Sequence, residues 1–223
     1  HLHPQVHFRH HPTVFLGVPL MYDKMYRRII LGIKEKNITK ALIPPMKTIA
    51  AWLETFGAEG VRRRIFSEIH KKFGGSIRLF IAGGAAPDPK VSKGLRSFGF
   101  KVMQGYGLTE TSPILTVNRE FNFKDEAAGL PLPSVQLRIE NPDASGHGEI
   151  VAKGPSIMPG YYKNEAATRE VLHDGWFYTG DIGYFDKDGF LHINGRKKNV
   201  IVARNGENVY PEELEDSVNK IPF

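Results

Sequence analysis

Thr109 and Glu110 set a hydroxyl beside a carboxylate directly after a Gly-Tyr-Gly turn, in the segment VMQGYGLTETSP (102–113). A threonine hydroxyl can bond a phosphate oxygen. A glutamate is a hard oxygen ligand suited to Mg2+, which usually joins one or two carboxylates to substrate phosphates. Gly105 and Gly107 allow unusual backbone angles and close approach of a ligand. Tyr106 offers a flat face to a base. The same residues also suit a glycine-rich turn with a capping threonine, and this segment by itself leaves both readings open.

The elements that must position these residues are legible in part. Thr13 to Val18 (TVFLGV) reads as a buried strand closed by Pro19. Met21, Tyr22, Met25, Ile29, Ile30 and Ile33 recur at helical spacing, which predicts an amphipathic helix from Met21 to Ile33. Residues 37–75 read as mostly helical, interrupted at Pro44 and Pro45 and stopped by Gly74-Gly75. Val61, Ile65, Phe66, Ile69 and Phe73 give their second half one apolar face. That face suits a core, although a basic helix with such a stripe could also rest on a membrane surface.

Ile77 to Ala82 reads as a second buried strand running into Gly83-Gly84. A helix from Pro89 to Gly99 follows, and the strand Lys101 to Gln104 then delivers GYGLTE. This alternation predicts an α/β fold with a parallel sheet covered by helices, whose ligands gather at the carboxyl ends of the strands.

From about Ser134 the texture changes to short strands (135–140, 148–153, 183–186 and 190–194) divided by Pro/Asp/Gly turns. This predicts a small antiparallel β subdomain. After Gly195-Arg196 a strand (199–203), a polar loop and a helix opening at Pro211 predict the start of a small α+β C-terminal domain. Glu212 and Glu213 suit the first turn of that helix. The expected divisions are 1–133, 134–195 and 196–223.

Composition narrows the chemistry. There is no cysteine among the 223 residues, which excludes a disulfide framework and a thiol nucleophile and suits a reducing, cytoplasmic setting. No apolar run is long enough to span a bilayer. The net charge of +6 points to phosphate-rich partners. Nucleic acid is not expected among them: the basic residues are spread, with one cluster at Arg62–Arg64, and no aromatics interleave with them. Five of the nine histidines lie in the first eleven residues. His3, His7 and His11 have metal-compatible spacing if helical, but Pro4 and Pro12 favour a loose segment. Oligomeric state is not readable.

Four further motifs follow in order: GGAAPDP (83–89), GEIVAKGPSIMPGYY (148–162), GWFYTGD (175–181) and GRKKNVIVARNGENVYPEELE (195–215). Together with GYGLTE they resemble the adenylate-forming superfamily of acyl- and aryl-CoA synthetases, peptide-synthetase adenylation domains and beetle luciferases. The resemblance runs from about Thr13 to the last residue. It implies ATP-dependent activation of a carboxylic acid to an acyl-adenylate, then transfer to coenzyme A with release of AMP. Positive charge and exact placement carry such a reaction without a protein nucleophile.

By resemblance, Gly83, Gly84 and Ala85 wall the adenine pocket, beside Gly105, Tyr106 and Gly107. Tyr106 stacks on the base, Thr109 touches the α-phosphate, and Glu110 holds Mg2+. Asp181 accepts the ribose hydroxyls and Arg196 reaches ribose or phosphate. Lys198 stands where the family pivots its C-terminal domain, and Gly206 lies in the loop beside the thiol tunnel. The family's Ser/Thr/Gly-rich phosphate loop and its late catalytic lysine have no counterpart in these residues. The chain is therefore expected to be part of a longer enzyme, with little ligase activity by itself.

The long helical connection between Pro19 and Ile77 resembles the long-chain fatty acyl-CoA synthetases. Val18, Met21, Met103, Gln104 and Gly105 are candidate acyl-pocket residues, which makes fatty acid the expected substrate with ATP, Mg2+ and coenzyme A. A medium-chain or aryl-CoA ligase, a fatty acyl-AMP ligase, and a non-catalytic nucleotide-binding remnant stay open beside it, as does peripheral membrane contact.

Overall fold

Apolar and aromatic residues ahead of Pro19 make a short edge strand, β1 (Val14–Gly17), in a computed structural model that describes residues 12–34, 37–55, 60–84, 87–202 and 208–219. The chain divides into two units, His1–Gln104 and Gly105–Phe223. In the first, β1 is followed by helices α1 (Pro19–Lys34), α2 (Asn37–Thr55), α3 (Val61–Ile65) and α4 (Ser67–Lys72). Then come β2 (Leu79–Ala82), α5 (Pro89–Ser97) and β3 (Lys101–Tyr106), whose last two residues belong to the second unit. β2 pairs in parallel with β1, Val14 opposite Leu79, and with β3, Leu79 opposite Lys101. This is the parallel sheet with helices that the alternating sequence predicts.

The core of this unit forms around Phe80, which is fully buried. Tyr22 of α1 and Phe15 of β1 pack on its ring at 5.4 and 6.0 Å. The Tyr22 hydroxyl donates to the Ile81 carbonyl at 2.7 Å and so ties α1 to β2. Burial pushes this phenol up to about 12. The apolar stripe of α3 and α4 is spent in this same core, with Phe66 4% exposed and Ile65, Ile69 and Phe73 packed around it. Asp88 caps α5 by accepting from the Lys90 N–H at 2.7 Å.

α2 differs from expectation. It runs unbroken through Pro44 and Pro45. Both prolines are exposed. The carbonyls of Lys40 and Ala41, one turn back, lose the N–H donors that residues 44 and 45 would otherwise supply. A turn at Gly60 with φ of 75° precedes α3 instead.

In the second unit the end of β3 pairs antiparallel with β4 (Thr116–Val117), and β4 with β5 (Leu130–Pro131). β6 (Gln136–Glu140) and β7 (Gly148–Lys153) follow, then α6 (Glu165–Val171), β8 (Leu172–His173), β9 (Trp176–Phe185) and β10 (Leu191–Arg196). The antiparallel order is β10-β9-β7-β6, with β8 on β9. The expected strand at 183–186 is the tail of the longer β9. α6, not foreseen, is capped by Asn164, whose side chain accepts from the Ala167 N–H. Of the expected strand at 199–203, residues 201–202 form β11 (Ile201–Val202), Asn199 closes a 3-10 turn from Lys197, and residue 203 lies outside the described residues. β11 pairs with β12 (Asn208–Val209), and α7 (Pro211–Asn219) follows.

One buried histidine makes the first unit sensitive to pH. His70 is 4% exposed, with Nε2 2.8 Å from the Phe98 carbonyl and Nδ1 3.4 Å from Arg63 Nη1. The proton therefore sits on Nε2, and Nδ1 accepts. Burial, assisted by Arg63 and opposed by the Phe98 carbonyl, lowers its pKa below the ordinary 6.5. The neutral ring is the folded form, so its contribution to stability is complete above pH 6.5 and is lost as pH falls through the depressed value. Urea midpoints measured between neutral and mildly acid pH should fall in this way, and His70→Gln, which takes up no proton there, should flatten the profile.

Candidate active site

Asp181 reaches its position through an irregularity in the β7–β9 ladder. Val151 faces Tyr178 and Glu149 faces Ile182, so Thr179, Gly180 and Asp181 together oppose Ile150 alone. Gly180 absorbs the bend with φ of 72°. The Thr179 hydroxyl fastens it, donating to the Ile150 carbonyl at 2.7 Å and accepting from the Asp181 N–H at 3.1 Å. A second irregularity on β10 brings Arg196 opposite Asp181.

The Asp181 carboxylate is 6% exposed, accepts from the Tyr106 hydroxyl at 2.7 Å and meets Arg196 Nε at 2.8 Å. Burial raises its pKa above the ordinary 3.8 despite those two partners. Burial, then the Asp181 charge, pushes the Tyr106 phenol up as well, so it stays a donor. On β7, opposite Ile182, the Glu149 carboxylate accepts from the Gly180 N–H at 3.1 Å and from Lys197 Nζ at 2.6 Å.

The GYGLTE loop is fixed from inside. Thr111 is fully buried. Its Oγ1 accepts from the Leu108 N–H at 2.9 Å and lies 2.9 Å from the carbonyls of Leu108 and Pro113. A Cβ on Gly107 would stand 1.7 Å from the Pro113 carbonyl oxygen, and one on Gly105 2.7 Å from that of Thr116. The close approach that needs glycine at these positions is therefore of the chain to itself. Thr109 and Glu110 remain on the outside of this tight loop. Glu110 Oε1 accepts from the Tyr161 hydroxyl at 3.0 Å, and its backbone carbonyl from the Met158 N–H at 2.8 Å. Burial, then the Glu110 carboxylate, raises the Tyr161 phenol.

These features meet at a cleft of about 640 Å³. Gly107, Thr109, Glu110, Gly180 and Arg196 line it; Tyr106 and Asp181 flank lining residues without lining it themselves. Glu149, Tyr161, Glu170 and Tyr178, which the sequence does not single out, also line it. Each lies in or near a quoted motif, but nothing in its spacing marks it.

The other candidates fall elsewhere. Gly83 and Gly84 form an open turn after β2, Gly84 with φ of 83°. Met21 lies exposed on α1, while Met103 and Gln104 lie on β3, and none of them lines the cleft. Lys198 is exposed in the 3-10 turn between Lys197, held by Glu149, and Asn199, which donates to Glu212 at 2.6 Å. Ala85, Gly206 and the histidine-rich start lie outside the described residues.

Residues 4–162 match the family model described as AMP-binding enzyme. The chain belongs to the AMP-binding enzyme family. It is 33% identical to the long-chain-fatty-acid–CoA ligase FadD15 of Mycobacterium bovis over 95% of its length and 36% of that protein's. It is 43% identical to the 2-succinylbenzoate–CoA ligase of Bacillus licheniformis over 92% of its length and 45% of that protein's. Among solved structures it resembles the O-succinylbenzoate coenzyme A synthetase of Bacillus subtilis in complex with ATP and magnesium ion. That match has a TM-score of 0.61 and 32% identity, covering 71% of this chain and 35% of the other. The chain thus spans under half the length of the curated relatives it matches.

Asp181 in this AMP-binding enzyme carries a stability cost with a definite sign. Its raised pKa means that the contribution it makes to stability is complete below pH 3.8 and is lost as pH rises through the raised value. Asp181→Asn keeps an acceptor for Tyr106 and removes the buried charge. Its thermal midpoint at pH 7 should be no lower than that of the parent chain, and any advantage should shrink as pH falls toward 3.8.

Proposed function

We propose that this chain forms part of an AMP-forming acid–CoA ligase that activates a fatty acid with ATP and transfers it to coenzyme A. The observation that supports this most is the buried Asp181 carboxylate, held between Tyr106 and Arg196 behind a cleft that also presents Thr109 and Glu110. A buried acceptor beside a cation suits the paired hydroxyls of a ribose, as an acidic residue does in dinucleotide folds. Tyr106 then lies against the base beside Gly105 and Gly107, and Gly83, Gly84 and Ala85 are proposed as adenine-binding residues on the resemblance alone. Thr109 meets the α-phosphate, and Arg196 reaches ribose or phosphate.

The donor set fits Mg2+ in the manner usual for nucleotide enzymes. Among the described residues no three His, Asp or Glu side chains converge on one point. Glu110 bonds Tyr161 through Oε1. One carboxylate shared with phosphate oxygens is the typical arrangement for this ion. The ion would supply charge neutralisation at the phosphates. The residues of this chain hold the nucleotide and orient it.

Lys198 is proposed as the pivot of the C-terminal domain and Gly206 as the glycine that passes the coenzyme A arm. Domain limits at 133 and 195 belong to the same reading, as does a cytoplasmic setting, which the absence of cysteine supports. Met21, Met103, Gln104 and Gly105 are proposed for the acyl side. A second reading, an aryl-CoA ligase acting on a 2-succinylbenzoate-like acid, is favoured by the higher identity to the Bacillus licheniformis ligase.

Calorimetry on the chain separates these readings. A non-hydrolysable fatty acyl-adenylate analogue should bind more tightly than AMP and more tightly than its 2-succinylbenzoyl counterpart. Reversal of the last pair would favour the aryl reading, and binding of none would end the ligase reading. Asp181→Ala should weaken AMP binding roughly tenfold or more, the scale of a lost charged hydrogen bond. Glu110→Gln should abolish the dependence of ATP binding on Mg2+ while leaving AMP binding in place.

A further inference from the structure

The helix α2 carries an outer surface that its sequence does not advertise. Between Leu42 and Leu53 its only charge is Lys47. That charge is turned onto the Phe98 ring, Nζ 3.9 Å from the centroid, where burial lowers its pKa. Ile43 and Ala50 face the core. What remains exposed is Leu42, Pro44, Pro45, Thr48, Ile49 and Trp52, an uncharged face with Leu42, Ile49 and Trp52 each more than half exposed. An exposed helix normally places its charges outward and its apolar residues inward. Contiguous exposed apolar surface of this kind marks a partner or a membrane.

Charge distribution selects between them. Residues 1–104 hold 18 Lys and Arg against 6 Asp and Glu, a net +12, while residues 105–223 hold 12 against 18, a net −6. The strongly cationic unit is the one that carries α2. On α1, which packs against α2, Lys24, Arg27 and Arg28 are exposed between Leu20 and Leu31, with Arg27 paired to Asp23 at 2.7 Å. On α3, also packed against α2, Arg64 is exposed. Pairing of this face with the same face of a second copy would bring like charge against like charge. An anionic bilayer meets both the apolar residues of α2 and the net positive charge of the unit that carries it with the chemistry each requires. Among the described residues no helix is long and apolar enough to cross a membrane, so the helix would lie on it.

We infer that the exposed face of α2 is a docking surface for an anionic lipid bilayer, with Ile49 and Trp52 entering the interface and the basic residues of α1 and α3 meeting the headgroups. This surface differs from the α3–α4 stripe that periodicity singles out, since that stripe is used in the core. The inference does not depend on the ligase reading.

Flotation of the chain with vesicles tests it. Phosphatidylcholine vesicles containing about 30% phosphatidylserine should carry the chain at low salt, and phosphatidylcholine alone should carry far less. Ile49→Glu with Trp52→Glu, and separately Lys24→Glu with Arg28→Glu, should each lower partitioning roughly tenfold or more, with circular dichroism unchanged. The chain has two tryptophans, Trp52 and Trp176. Trp176→Phe therefore leaves Trp52 as sole reporter on an unaltered α2, and its emission should shift to the blue and be quenched by brominated lipid. Absence of flotation, binding that survives the two apolar substitutions, or Trp52 emission unmoved by vesicles would each overturn the inference. So would a concentration-dependent dimer dissolved by Trp52→Glu, which would give the face to a second copy.

Discussion

A carboxylate held almost out of water organises the second unit. Asp181 loses hydration on folding, and burial of an ionised carboxylate is among the costlier events in a protein. The chain offsets this with a phenol hydroxyl and a guanidinium, yet the balance still favours the neutral acid more than water would. The surrounding architecture holds the carboxylate in that position. Three residues of β9 crowd against Ile150, Gly180 takes a left-handed angle, and Thr179 turns its hydroxyl inward to fasten the distortion. Distortion of this kind persists where the neighbouring structure over-determines it.

That over-determination is visible on both sides. β7 is buried through Ala152, so its ladder to β9 is held by apolar packing where the register slips. Glu149, a second buried acid, takes the Gly180 N–H on one oxygen and Lys197 on the other, bracing the bulge and the turn after β10 together. Glu212 then accepts from Asn199, so α7 is fastened to the same turn. Lys198 sits between two tethered neighbours and is itself exposed.

Sequence reasoning reached the elements whose patterns are local. The alternation that gives β2, α5 and β3 is written in apolar runs, an N-terminal Pro and a stop Gly. The cluster of Thr109, Glu110, Asp181 and Arg196 was reachable because each sits in a long motif. The partners were not. Glu149, Thr179 and Tyr161 matter through a bulge and a long-range contact, and Tyr161 meets Glu110 across 51 positions of chain. Gly105 and Gly107 were marked for the right residue type, but the atoms that forbid a Cβ are the carbonyls of Thr116 and Pro113. The prolines of α2 suggest a break because proline removes a helical donor and crowds the preceding turn, yet α2 carries both of them, exposed, without interruption.

The GYGLTE loop and the Asp181 bulge share a property that bears on affinity. Each is rigid before any ligand arrives: Thr111 locks the loop through three backbone groups, and Thr179 locks the bulge through two. Binding that must first order a glycine-rich loop surrenders part of its interaction energy to lost chain entropy. Here the glycines are immobilised by contact with their own chain, so their freedom has already been removed on folding. Thr109, Glu110 and Arg196, which line the cleft, are then presented to a ligand with little further ordering of the backbone. The cost of that readiness appears as the buried acid, the left-handed glycine and the crowded strand, which is where a fold gives up stability to keep a site in shape.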